Sequence, residues 1–325
     1  MSARPAGPAI RLTANPNRLV FRRIIAAVAL LGAGAGWWVT APTYLPRADE
    51  ITLMAAAPDA ALGEQVFWAA GCASCHVPPD TAETDTPILS GGQAFASDFG
   101  TFYAPNITPS PEGIGGWTLM QFANAVQAGI SPEGAHYYPA FPYTAYAKAR
   151  PEDIAALFAF IQTLPADATP SRSHDVGFPF NIRRSLGGWK LLFGEPDGPE
   201  LQPLSPSTER GAYLAEALGH CTECHTARNA LGGLNTSLWM AGAPNPSGKG
   251  RTPNITPAAL DWSQVDLMAY FTTGLTPDYD SAGGKMASVV QNLARLPEAD
   301  RMALVDYLKA LPPIANEQPA SEQVR

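Results

Sequence analysis

Two short stretches restrict what this 325-residue chain can fold around: GCASCH, with Cys72, Cys75 and His76, and HCTECH, with Cys221, Cys224 and His225. Together they hold all four cysteines. Zinc ribbons also use Cys-x-x-Cys, but their two pairs usually stand about 15–20 residues apart. Here the separation is 149. A disulfide or a dithiol redox pair leaves both histidines without a role. Covalent attachment of haem accounts for all six residues: the two thiols become thioethers and the adjacent histidine binds iron from one side. Two covalently bound haem c groups are expected, with His76 and His225 as axial ligands.

Around these motifs the sequence repeats. Each is preceded by a short amphipathic helix, DAALGEQVFWAAG at 59–71 and TERGAYLAEALG at 208–219, with Asp59 and Thr208 as expected N-caps. Gly63 and Gly211 fall inside these helices. Glycine costs about 1 kcal/mol there against alanine, so close approach of another helix is expected. After each motif come a Gly/Pro-rich loop, the tetrapeptide PNIT (105–108 and 253–256) and a helix with a tryptophan near its start. Each half closes with a helix ending in Leu-Pro, where Phe160 matches Tyr307 and Leu157 matches Leu304. Asn-x-Thr also fits a glycosylation acceptor, but recurring beside both motifs it reads as hydrogen bonding within a haem pocket.

Charge is unevenly spread. Arg4, Arg11, Arg18, Arg22 and Arg23 precede the first apolar run and all 29 acidic residues lie after residue 48, leaving 16 basic against 29 acidic residues for the rest. That acidity argues against a nucleic-acid partner. The run 24–41, IIAAVALLGAGAGWWVTA, carries no charge and ends near Trp37 and Trp38. It approaches the ~20 residues that cross a bilayer as a helix and exceeds the apolar core of a signal peptide, so an uncleaved anchor is expected. Gly32, Gly34 and Gly36 imitate a nucleotide loop, but no strand precedes them.

Helix, Cys-x-x-Cys-His, loop, helix, loop and closing helix form the layout of the class I cytochrome c domain, which both halves resemble. The expected fold is all-α: residues 1–23 cytoplasmic, a transmembrane anchor at 24–41, a linker at 42–57, cytochrome domains at 58–168 and 207–325, and an inter-domain linker at 169–206. FWAAGCASCH, GTFYAPNITP, GIGGWT, YYPAFPY, FPFNIRR and RTPNITP also resemble a narrower family. These are the membrane-anchored cytochrome c subunits of bacterial periplasmic dehydrogenases that oxidise alcohols, aldehydes or sugar acids. The resemblance covers residues 60–313. It implies an electron-transfer subunit on the periplasmic side of the inner membrane, taking electrons from a dehydrogenase and delivering them to quinone, another cytochrome or a terminal oxidase.

Class I cytochromes complete the iron with a methionine on the loop before the last helix. Met286, 61 residues after His225 and following two glycines, holds that place in the second half; Met240 and Met268 are fallbacks. Trp262 to Met286 is 24 residues, with Gly274 halfway. The same count from Trp117 passes Gly129 and reaches Phe141, where relatives often have methionine (YPAMPY). Phenylalanine cannot bind iron. His174 in the inter-domain linker, His136 on the same loop, or an open site beneath Phe141 are the alternatives; Met120 is a weaker one. His220, next to Cys221, belongs with the second haem. An electron-transfer subunit is the leading function. A haem enzyme acting on a small oxidant or sulfur compound at the first haem is the other, although the tyrosines and prolines around Phe141 offer no distal base. A gas sensor would need an output domain.

Overall fold

The computed structural model describes residues 16–81, 84–201, 204–245 and 250–316. Its contacts divide the chain at Ala41 into an N-terminal helix and one compact unit, 42–325.

The N-terminal helix, α1, runs Pro16–Val39, so it begins eight residues ahead of the uncharged run. Residues 1–15 of the expected cytoplasmic segment lie outside the described residues. Val20–Val39 has a mean hydropathy of 1.4 and none of it is buried. Twenty residues at 1.5 Å each give about 30 Å, the thickness of a bilayer's hydrocarbon core.

The compact unit opens with α2 (Arg47–Ala55), within the stretch expected as a linker. Leu53 is buried, α2 packs on later helices, and the Leu45 N–H donates to Asn124 Oδ1 at 2.9 Å. Next come α3 (Ala60–Ala69), α4 (Cys72–His76), the antiparallel hairpin β1–β2 (Ala94–Ser97, Gly100–Tyr103), α5 (Leu119–Ala128), α6 (Tyr143–Tyr146) and α7 (Pro151–Ile161). The 169–206 stretch carries α8 (Ser185–Phe193) and a bridge from Asp175 to Thr101. The second half repeats the plan: α9 (Pro206–Tyr213), α10 (Thr222–His225), strands β3 and β4 (Ala243–Pro244, Arg251–Thr252), α11 (Gln264–Thr273), α12 (Lys285–Ala294) and α13 (Glu298–Ala310).

Local chemistry sets these boundaries. Asp59 caps α3 by accepting from the N–H groups of Ala61 and Leu62. The cap of α9 is Ser205, with Pro206 opening the helix; Thr208, expected there, sits buried in the first turn. Proline at the first helical position moves the start forward, since its missing N–H is no loss there. Capping boxes start α5 (Thr118 with Gln121) and α11 (Ser263 with Asp266), and left-handed Gly129 and Gly274 end them.

The first and last helices of each half cross at the expected glycines. A Cβ on Gly63 would lie 2.0 Å from the Ala156 carbonyl oxygen and 2.7 Å from Phe160 Cβ. On Gly211 it would lie 1.9 Å from the Ala303 oxygen and 2.7 Å from Tyr307 Cβ. The halves differ just before the second motif, where Leu214–Leu218 form a π-turn continuing α9.

One hydrophobic cluster runs through both halves, joining Phe67 and Leu157 to Trp239 and Tyr307. Polar contacts reinforce the junction. Tyr146 Oη donates to the Ala70 carbonyl at 2.9 Å, Asn292 Nδ2 to Ser74 Oγ at 2.8 Å, and Lys148 pairs with Glu216 at 3.2 Å.

Candidate functional site

Left-handed Gly71 turns the chain out of α3 into the one-turn helix α4, so Cys72, Cys75 and His76 leave the backbone within a single turn. His76 Nδ1 lies 2.8 Å from the Pro105 carbonyl oxygen. Burial holds this imidazole below its ordinary pKa, against the pull of that carbonyl. The ring is therefore neutral near pH 7. Because a carbonyl can only accept, the proton is on Nδ1 and Nε2 keeps its lone pair. His225 repeats the arrangement, with Nδ1 2.8 Å from the Pro253 carbonyl and burial again lowering its pKa. A second partner that fixes tautomer and ring orientation is what an iron-binding histidine requires.

The two PNIT segments hold these carbonyls. Thr108 donates through N–H and Oγ1 to Asn106 Oδ1, both at 2.8 Å, while Asn106 Nδ2 donates to the carbonyls of Asp167 and Thr169. Thr256 and Asn254 repeat this, with Ile314 as the outer acceptor. Both asparagines are buried, which leaves no room for a glycan. Their bonds go to the chain beyond the closing helix, one step behind the histidines. The proline carbonyls themselves escaped the sequence reading, although their recurrence 29 and 28 residues after the histidines was available in it.

None of the four cysteines is in a disulfide. Loss of solvent pushes Cys72 and Cys221 up to about 12 and Cys75 to about 11, whereas Cys224 is exposed. Among the described residues no three His, Cys, Asp or Glu side chains converge to hold an ion. Paired neutral thiols beside a histidine with a free Nε2 fit haem c. The two motifs also adjoin: the His220 ring stands edge-on to Tyr146 at 5.6 Å, and Tyr146 Oη donates to the carbonyl of Ala70, two residues before Cys72.

Met286 lies half-buried in the first turn of α12, so the expected loop position is helical. That helix touches α3, α4 and α11. Met240 is fully buried, its backbone bonded to Thr226 and Ile255; Met268 is half-buried on α11, and Met120 on α5. Phe141 packs on Tyr137 at 6.1 Å and Tyr146 at 5.8 Å. Tyr146 in turn donates to the carbonyl of Ala70, two residues before Cys72, which puts Phe141 beside the first motif. His136 is buried at 2% exposure. His174 Nδ1 accepts the Tyr103 N–H at 3.1 Å, and its ring meets Phe102 and Tyr138 edge-on. Burial and Arg183 lower the His174 pKa, so in this arrangement the neutral ring carries its proton on Nε2.

Residues 60–165 match the family model for cytochrome c. The chain is 51% identical over 289 residues to a diheme cytochrome c-type protein of Cereibacter sphaeroides, covering 89% of this chain and 97% of that one. It is 41% identical over 264 residues to the fructose dehydrogenase cytochrome subunit of Gluconobacter japonicus, covering 78% of this chain and 53% of the relative. With the cytochrome c subunit of the quinone alcohol dehydrogenase of Gluconobacter oxydans it shares 34% identity over 266 residues, 78% of this chain and 54% of the relative. It thus spans nearly all of the first relative and about half of the two dehydrogenase subunits. With its paired histidine and thiol sites, the chain belongs to the c-type cytochrome family that contains this diheme protein and the cytochrome subunits of these dehydrogenases.

Proposed function

We propose that the chain is a dihaem electron-transfer subunit built from two tandem class I cytochrome c domains. It is held by α1 in the bacterial inner membrane, with the compact unit in the periplasm. The observation that carries this is the duplicated histidine–proline bond, 2.8 Å in both halves, beside two pairs of neutral thiols. Haem c, when bound, supplies a one-electron carrier. Cys72 and Cys75 hold one group and Cys221 and Cys224 the other, while His76 and His225 present Nε2 to the irons. Met286 completes the second. For the first, His174 in the segment between the halves and His136 on the Phe141 loop are the candidates: His174 accepts from the Tyr103 N–H, and His136 is buried. Electrons come from a periplasmic dehydrogenase and leave to quinone, another cytochrome or a terminal oxidase. No catalytic residue is required.

A second reading follows from Phe141: if no histidine binds, the first haem is open and a small oxidant or sulfur compound can reach it. Purified full-length protein should contain two covalent haems by pyridine haemochrome assay and mass, one in the Cys72→Ala/Cys75→Ala variant. It should be reduced by a dehydrogenase and reoxidised by a quinone analogue without consuming peroxide. A single haem, or peroxide turnover, would defeat the relay reading.

A further inference from the structure

Residues 176–194, VGFPFNIRRSLGGWKLLFG, contain three cations and lie between the acids Asp175 and Glu195. Their apolar side chains face solvent: Phe178 is 81% exposed, Leu192 70% and Leu191 66%, with Phe180 and Ile182 near half. Single exposed apolar residues are ordinary, whereas a contiguous group marks a contact surface. Here the group is contiguous. The Phe180 ring packs on Phe99 at 5.0 Å, and Phe99 borders Gly232. Trp189 Nε1 donates to the carbonyl of exposed Leu231 at 2.9 Å. The strip therefore joins the inter-half segment to the loop after the second motif.

Its location is informative. Lys190 Nζ donates to the carbonyls of Ala128 and Gly129 at the end of α5, at 2.5 and 2.9 Å. The chain arriving from α1 makes its bond to Asn124 on that same helix, through Leu45. Four residues of helix separate Asn124 from Ala128, about 6 Å. The tether thus joins the compact unit beside the place where the strip is pinned. Only residues 40–44 lie between the end of α1 and Leu45, a reach of about 20 Å at full extension.

We propose that this strip is a lipid-contact face, with Phe178, Phe180, Ile182, Leu191, Leu192 and Leu231 entering the interfacial layer of the bilayer. Aromatic and aliphatic side chains mixed with cations compose segments that lie in that layer, and Glu195 and Asp197, beside Leu192, mark the polar edge of the strip. A short tether ending beside the strip favours lipid over a protein partner. The inference rests on the reading of α1 as an anchor.

The full haem-loaded chain, reconstituted in vesicles of phosphatidylethanolamine and phosphatidylglycerol containing a diazirine phospholipid, would be irradiated, digested and mapped by mass spectrometry. Lipid adducts are expected on the peptide holding 178–192 as well as on α1. The variant L191D/L192D should lose the former and keep the latter. Adducts on α1 alone overturn the lipid-contact face and leave the anchor standing. Adducts on neither overturn both. Cross-links from this peptide to a dehydrogenase subunit in native membranes, without lipid adducts, make it a protein-docking face and overturn the proposal.

Discussion

Met286 and Phe141 stand at matching distances from matching tryptophans, yet they offer an iron very different chemistry. A thioether favours ferrous iron over a second imidazole. Met286→His should therefore lower the potential of one haem in a spectroelectrochemical titration and leave the other in place; an unchanged titration would assign the ligand elsewhere. Phe141→Met should raise the other potential. Alanine at His136 or at His174 should turn one haem high-spin only where the true ligand has been removed. The attachment residues were legible because six residues in fixed order admit one chemistry. The sixth position of the first haem was not, because histidines distant in sequence are chosen by packing. In the structure His174 is committed to Tyr103 and His136 is buried near Phe141.

Helix crossings turn on single glycines. Gly63→Ala places a methyl group 2.0 Å from a carbonyl oxygen on the facing helix. Both helices must separate, and overpacking of this kind typically costs 1–3 kcal/mol. A loss of about 2 kcal/mol or more in denaturant unfolding of the haem-loaded protein is expected. Gly32→Ala, with nothing within 4 Å of the new methyl, should leave that measurement unchanged. Both crossings were readable in advance, since a glycine within an amphipathic helix needs a compensating contact. Helices α2 and α8 were not. Each is nine residues long, and α8 includes two glycines and carries its apolar side chains outward, so no buried stripe announces it. For α12, the two glycines before Lys285 suggested a loop although an amphipathic helix follows them.

Across the whole compact unit the two halves share one core, so their junction should contribute to stability and to its pH dependence. His220 sits in that junction. Burial holds its pKa below the ordinary imidazole value, against the opposing pull of Glu223 and the Ala70 carbonyl. His174 is shifted the same way. In the unfolded chain both titrate near 6.5. Between the folded and unfolded values only the unfolded state binds the proton, so stability rises with pH across that window. It is complete above about 6.5 and falls as the medium is acidified. Denaturant unfolding at pH 7.5 and pH 5 should show the loss, and His220→Phe, which keeps a ring against Tyr146, should reduce it. An equal slope in the variant would place the titrating group elsewhere.

The π-turn at Leu214–Leu218 has a counterpart in arithmetic. Gly63 precedes Cys72 by nine residues, and Gly211 precedes Cys221 by ten. An ordinary α-helix given that extra residue would rotate everything downstream by about 100°, swinging the second motif off its face. Widening one turn absorbs the surplus locally, so the glycine at the crossing and the first attachment cysteine both keep their stations. The turn thus takes up the one residue by which two otherwise parallel halves differ, and deleting a single residue from 214–218 should turn it into plain helix without disturbing either end.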